Sequence, residues 1–468
     1  MKTHQRLEGM QAFFALLGGQ LISVIGSGMT RFGLSVWILA KTGDTSAYTT
    51  MIFFAVFPAG LGALFTGPFI DRWDRRKLFI GANLVASLAI LAMAILFFTD
   101  SMNLWHLYLA MTVNGIASAF ISPAMQSSAR LLVPKEKLNR ASGLSQLLRP
   151  METILAPSLA GLIVSAFGLE VVFIIDVVTF FVNIIILSLL SIPRPPQAAG
   201  RAGRAGFWVE LSAGFRYIRE RPALIALLSL FALTLFLLPG MAYSLLTPLV
   251  LSFETEKVLG LILSVFGIGS IIGGIFLASW RAERRRMNGI LIALSVAGLA
   301  VILMGIWENP WTIGLGVFLT GLSFVFVTGL NQVIWQVKSA PEMQGRLFAL
   351  MGTLAVGGQS LGILVAGPLA GKVFQPMLEK GGLLADTIGA LIGIGPGRGM
   401  GFMFILIGLT VFGVVLLSWT IPSIHLLEDR LPDHDIRQET TSAFDTWRKT
   451  FGLTGRHSLG ITSASRSR

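Results

Sequence analysis

The sequence predicts an all-α membrane protein of twelve transmembrane helices in two pseudo-symmetric six-helix halves. Three observations predict it: too few charges for a water-facing surface, apolar runs of membrane-spanning length, and an internal repeat. Only 13% of the 468 residues are Asp, Glu, Lys or Arg, against 54% hydrophobic, whereas about a quarter of a soluble domain is charged. Hydrocarbon is therefore the solvent this chain is built for.

A span needs about 20 apolar residues. Runs of that kind place helices at 12–40, 47–70, 78–98, 104–130, 141–167, 170–192, 223–251, 258–280, 288–306, 310–337, 346–372 and 399–425. The 52 glycines suit close helix approach in lipid. Lys2 and Arg6 precede the first run in the manner of a signal peptide. The run is too long for one and no small-residue cleavage site closes it, so it reads as the first span.

Basic residues set the orientation. Arg72, Arg75, Arg76 and Lys77 follow helix 2, and Arg130, Lys135, Lys137 and Arg140 follow helix 4. Arg194 to Arg221 supply more after helix 6, and Arg281, Arg284, Arg285 and Arg286 follow helix 8. The alternate loops are nearly bare, except that Lys372, Lys380 and Arg398 precede helix 12. Basic loops stay in the cytoplasm. Both termini are expected there, in a multi-pass protein of the inner (plasma) membrane.

The repeat supports the even helix count. Gln126, Glu136 and Arg140 recur as Gln332, Glu342 and Arg346, and Gly67, Phe69 and Trp73 recur as Gly274, Phe276 and Trp280. Ala156-Pro-Ser-Leu-Ala-Gly161 echoes Ala366-Gly-Pro-Leu-Ala-Gly371. The expected divisions are a first half at 1–192, a cytoplasmic linker at 193–222 with an amphipathic helix from Phe207 to Tyr217, a second half at 223–425, and a disordered polar tail at 426–468.

Composition also narrows the chemistry. With no cysteine and five scattered histidines, the chain offers no thiolate site and no His pair at helical spacing, and neither metal nor cofactor is expected. The net charge of +12 fits cytoplasmic loops facing anionic lipid rather than nucleic acid. The glycine run Gly393 to Gly401 lacks the Lys-Ser/Thr of a phosphate loop and no strand precedes it, so it reads as the entry to helix 12. Duplicated halves around a midplane site describe alternating-access transport. No selectivity ring marks a channel.

Gly67-Pro-Phe-Ile-Asp-Arg-Trp-Asp-Arg-Arg-Lys77, in the loop after helix 2, resembles the signature of the major facilitator superfamily. Pro123-Ala-Met-Gln-Ser-Ser-Ala-Arg130 and Gln344-Gly-Arg346 are similar to its drug-, macrolide- and siderophore-exporting branch. The resemblance implies a conformational gate of Gly67, Asp71, Arg72, Arg75 and Arg76, with Asp71 meeting the start of helix 11 at Arg346. It also implies a cavity bordered by helix 5. The sequence departs from the family pattern at Asp74, at Met111 where helix 4 would carry an arginine, and at Ala156 before Pro157.

Ionisable groups inside the membrane need a reason. Arg31, Arg149, Glu152 and Asp176 are the candidates for proton coupling. Arg31 and Asp176 lie at similar depth, which suggests a pair. Glu152 points away from the Pro157/Gly161 face and is the better proton carrier, with an intrahelical pair to Arg149 as its structural alternative. Asn114, Gln126, Asn331, Gln332, Gln336 and Gln359 are candidates to line a substrate cavity or to bond between helices.

The leading expectation is a proton-driven exporter of small amphipathic compounds, acting as a monomer with membrane lipid and protons as its other partners. A transporter of a lipid or defined metabolite by uptake or facilitation is the second. A membrane enzyme or sensor is the third, and the sequence shows neither a catalytic constellation nor an appended soluble domain for it.

Overall fold

The computed structural model describes residues 9–72, 75–134, 137–190, 215–280 and 286–430, with Ser212. Twelve helices in it are long and apolar enough to cross a membrane. We number them α1 (Gly9–Thr42), α2 (Thr45–Arg72), α3 (Arg75–Phe98), α4 (Leu104–Leu132), α5 (Leu148–Phe167), α6 (Leu169–Leu189), α7 (Pro222–Leu251), α8 (Glu256–Ser279), α9 (Arg286–Ile306), α10 (Pro310–Lys338), α11 (Pro341–Pro368) and α12 (Arg398–Thr420). Helices are the natural form here because lipid offers nothing to an unpaired backbone amide. Large side chains such as Ile95, Leu109, Ile174 and Ile185 lie on the outside of the bundle, where a soluble protein would place charges.

The expected spans and the observed helices coincide, apart from local interruptions that prolines explain. A short helix, Leu138–Gln146, breaks at Leu147 before α5, with Pro150 in the first turn of α5 itself. Pro239 lies in a wider π turn at Phe236–Ala242 inside α7, and Pro368 precedes another at Leu369–Phe374 that carries α11 on to Met377. A proline lacks the amide for its i−4 carbonyl and crowds that carbonyl, and a local π adjustment accommodates it. Pro422 likewise separates α12 from a short turn at Pro422–His425.

The tail expected to be disordered from residue 426 is helical and docked as far as Arg430. Leu427 is fully buried, and the Glu428 carboxylate accepts from the Met287 amide at the start of α9 (3.2 Å) and faces Arg286 at 3.6 Å. Lys338, at the end of α10, donates to the Glu428 carbonyl at 2.8 Å. An anion at a helix N-terminus is stabilised by the free amides there. The apolar buried position at Leu427 and the acidic one beside it outweigh the polar composition of the tail. Most of the linker helix and residues 431–468 fall outside the described residues. Of the linker, Ile218 is buried in the second half, and the Arg221 guanidinium stacks on the Tyr217 ring.

Within each half, α2 packs on α4 and α1 on α6, as α8 packs on α10 and α9 on α12. Between halves the main contacts are α5 with α8 and α2 with α11. Glycines set these distances. A Cβ on Gly260 would stand 2.3 Å from the Pro157 carbonyl oxygen, and one on Gly161 2.6 Å from that of Glu256. Gly367 is similarly close to Ser46 and Thr49 of α2. These contacts lie at the end of the bundle away from the chain termini.

Candidate functional site

A cavity of about 910 Å³ lies between the halves. Its lining runs from Ser35, Tyr48 and Tyr243 to Leu138 and Ser142, at the end of the bundle that carries the termini. It opens towards that end, and the glycine-mediated contacts of α5 with α8 and of α2 with α11 shut the other.

Arg31, Arg149, Glu152 and Asp176 all line it. The ion pair is not the expected one. Arg31 Nη2 bonds Glu152 Oε1 across α1 and α5, and Asp176 Oδ1 accepts instead from Ser27 Oγ at 3.1 Å. The reason is how α1 is wedged. Gly28 presses it against Ala156 and Glu152 of α5, and Gly26 presses it against Asp176 and Thr179 of α6. The arginine lies at a depth where it can address either acid, and it turns to α5. Arg149 makes no ion pair among the described residues, so the intrahelical alternative for Glu152 is absent from this conformation. Pro157 meets Gly260 of α8, on the other side of α5 from the Glu152–Arg31 pair.

The Arg31 and Glu152 side chains keep 42% and 21% of their surface exposed. The pair is therefore wetted by the cavity, and its strength lies nearer to that of a surface pair than a dry one.

Among the amide candidates, Asn114 and Gln359 line the cavity, and Asn114 Nδ2 donates to the Ala86 carbonyl at 3.2 Å. Asn331, Gln332 and Gln336 do not line it: Asn331 is buried in α10, and the Gln336 carbonyl accepts from Gln344 Nε2 at 2.9 Å. The side chains of Gln126, Asp71, Arg72, Arg75 and Arg76, and the surroundings of Gly67, lie outside the described set. Arg346 is described, with Nη1 at 3.7 Å from Met343 Sδ.

Sequence reasoning missed a polar group behind α1. Asn183 of α6 donates to Gln20 of α1 at 3.4 Å and to Asn83 of α3 at 3.3 Å, and Gln20 and Asn83 line the cavity. An amide inside each of three apolar helices was the available signal. Met111 lines the cavity and is buried.

Comparison with known proteins points the same way. The chain is 26% identical over 370 residues to the macrolide efflux protein A of Streptococcus pyogenes, covering 77% of this chain and 90% of the relative. It is 23% identical over 396 residues to the enterobactin exporter EntS of Shigella flexneri, covering 84% and 90%. Its fold matches the inward-facing, unoccupied crystal structure of a bacterial homologue of the human lysosomal transporter Spinster, with a TM-score of 0.66 and 14% identity over 92% of this chain and 98% of that one. The family model described as Major Facilitator Superfamily matches residues 16–363. This chain belongs to that superfamily of membrane transporters.

Proposed function

We propose that the protein exports small amphipathic organic compounds across the inner membrane in exchange for protons, by alternating access. The observation that carries this reading is the Arg31–Glu152 pair inside a cavity that opens at one end only. A proton arriving at Glu152 removes the charge that holds Arg31. The freed guanidinium then has Asp176 as its other acidic neighbour, on the opposite side of α1. One proton thus exchanges an α1–α5 contact for an α1–α6 contact, which is the kind of change that biases one packing over another. The rest of the lining mixes apolar groups such as Ile52, Phe32 and Leu91 with scattered hydroxyls and amides, and suits a molecule with both kinds of surface. The relatives named for macrolide and enterobactin efflux support the direction of transport.

In liposomes holding the purified protein, an imposed pH gradient is expected to concentrate substrate on the acidic side, beyond what protein-free liposomes do. Equilibration without concentration would replace this reading with facilitated transport of a lipid or metabolite. That second reading has one observation in its favour: a buried methionine, Met111, faces the cavity where the family resemblance calls for an arginine.

In this reading the end carrying the termini is cytoplasmic, and the gate of Gly67, Asp71, Arg72, Arg75 and Arg76 with Arg346 closes it when the cavity opens outward. The chain has no cysteine, so Ala198→Cys in the linker gives a clean topological marker. It should resist an impermeant thiol reagent in intact cells and react after permeabilisation. Equal labelling in both would invert the orientation.

A further inference from the structure

We propose that Asp176, with Ser27, Thr30 and Thr179, forms a binding site for Na+ between α1 and α6. Asp176 is 2% exposed and Thr30 fully buried. Thr30 Oγ1 lies close to the Asp176 carboxylate, yet neither it nor Asp176 Oδ2 makes a hydrogen bond of full geometry. Most hydroxyls in these helices donate to a carbonyl three or four residues back, as Ser35 does to Arg31, Thr42 to Ile38 and Ser188 to Ile185. Thr30 does not. A buried carboxylate is costly unless something compensates its charge.

No cation is in contact with Asp176 among the described residues. Arg31, one turn beyond Ser27 on α1, is paired with Glu152 of α5 and acts on Asp176 only through space. Arg149 lies on the exposed side of α5, towards the mouth of the cavity. The neighbours of Asp176 are instead neutral oxygens. Ser27 Oγ is 3.1 Å from Oδ1, and Thr179 Oγ1 shares its surroundings: a Cβ on Gly26 would stand 2.4 Å from Thr179 Oγ1 and 3.0 Å from Asp176 Oδ1. Thr179 spends its hydroxyl proton on the Asp176 carbonyl at 2.9 Å, which leaves oxygen lone pairs free. The missing side chain at Gly26 is what lets α6 bring these oxygens against α1.

One carboxylate among hydroxyls is hard, oxygen-only and singly charged. Such a set suits a hard cation and offers no thiolate or imidazole for a soft one. A divalent ion would keep an uncompensated charge, and no group of three or more His, Cys, Asp or Glu occurs among the described residues. Na+ neutralises the site with one charge. Its presence would exclude the Arg31 guanidinium from Asp176, so Na+ at this site and a proton at Glu152 would oppose each other.

The test uses the purified full-length chain in detergent and needs no transported substrate, so a failed export assay leaves its result standing. Thermal unfolding is followed in NaCl, KCl and choline chloride at equal ionic strength, together with binding of radioactive Na+. The midpoint should rise with Na+ concentration alone, because an ion that binds only the folded state stabilises it by mass action. One Na+ should bind per chain. Asp176→Asn should abolish binding, and Thr30→Ala should weaken it about tenfold or more, in line with loss of one ligand. A wild-type protein that binds no Na+ and unfolds alike in all three salts overturns the site and leaves Asp176 to a proton. So does undiminished Na+ binding by Asp176→Asn.

Discussion

Gly260→Val should force apart the end of the molecule that is closed in this structure. The space for a side chain is absent: a Cβ would sit 2.3 Å from the Pro157 carbonyl oxygen and 3.2 Å from the Gly161 Cα. Both obstacles are backbone, so no rotamer relieves them. Overpacking of this kind costs about 1–3 kcal/mol. Because α5 and α8 belong to different halves, that cost falls on the state in which they touch. A bias of about 1–3 kcal/mol changes a two-state ratio about 5- to 150-fold. Spin labels at Glu170→Cys and Lys257→Cys, beside this contact, should report a longer distance in the variant. Labels at Gly143→Cys and Gly345→Cys, near the opposite mouth, should report a shorter one, as the proposed gate at Asp71 and Arg346 closes. Unchanged distances with a lowered melting temperature would make α5–α8 a fixed seam.

Glu152→Gln should uncouple transport from protons. The amide keeps the shape of the side chain and can still accept from Arg31, but carries no charge and takes up no proton. Concentrative transport driven by a pH gradient should fall about tenfold or more, equivalent to about 1.4 kcal/mol or more of lost coupling. Exchange of labelled for unlabelled substrate, which needs no proton, should persist. Stability should change little, since the wild-type pair is wetted by the cavity and exposed pairs contribute about 0–1 kcal/mol. Equal loss of exchange and of driven transport would place Glu152 in substrate binding instead.

The two-half architecture was legible because each span carries its own signal. Length and apolarity decide one helix at a time, as at 310–337 and Pro310–Lys338. The pairing of Arg31 was not legible for the opposite reason. Rise per residue gives the depth of a side chain, and by depth Asp176 was a fair partner. Which neighbour the side chain turns to depends on how α1 is rotated, and that is fixed by Gly26 and Gly28 against two other helices. The buried Asn183–Gln20–Asn83 cluster escaped for the same reason, since its members lie in α6, α1 and α3 and share no local pattern. The docking of Glu428 was hidden by the polar residues around it. Its partners Arg286 and Lys338 belong to distant helices, and only the fold brings them within reach.

The cavity lining has a consequence for how such a transporter can change over generations. Among the described residues its four charged side chains, and Gln20, Asn83 and Asn114, all come from the first half, whereas the second half contributes Gln359 and Tyr243 beside largely apolar and hydroxyl groups such as Pro239, Leu263 and Thr247. The described linker and tail residues Ile218, Leu427 and Glu428, by contrast, pack on the second half. In the proposed reading, where this cavity holds the cargo, substitutions that retune recognition can accumulate in one half while the other keeps its anchoring intact. Selection for a new cargo has a surface on which to work without first disturbing the apparatus that holds the opposite half in shape.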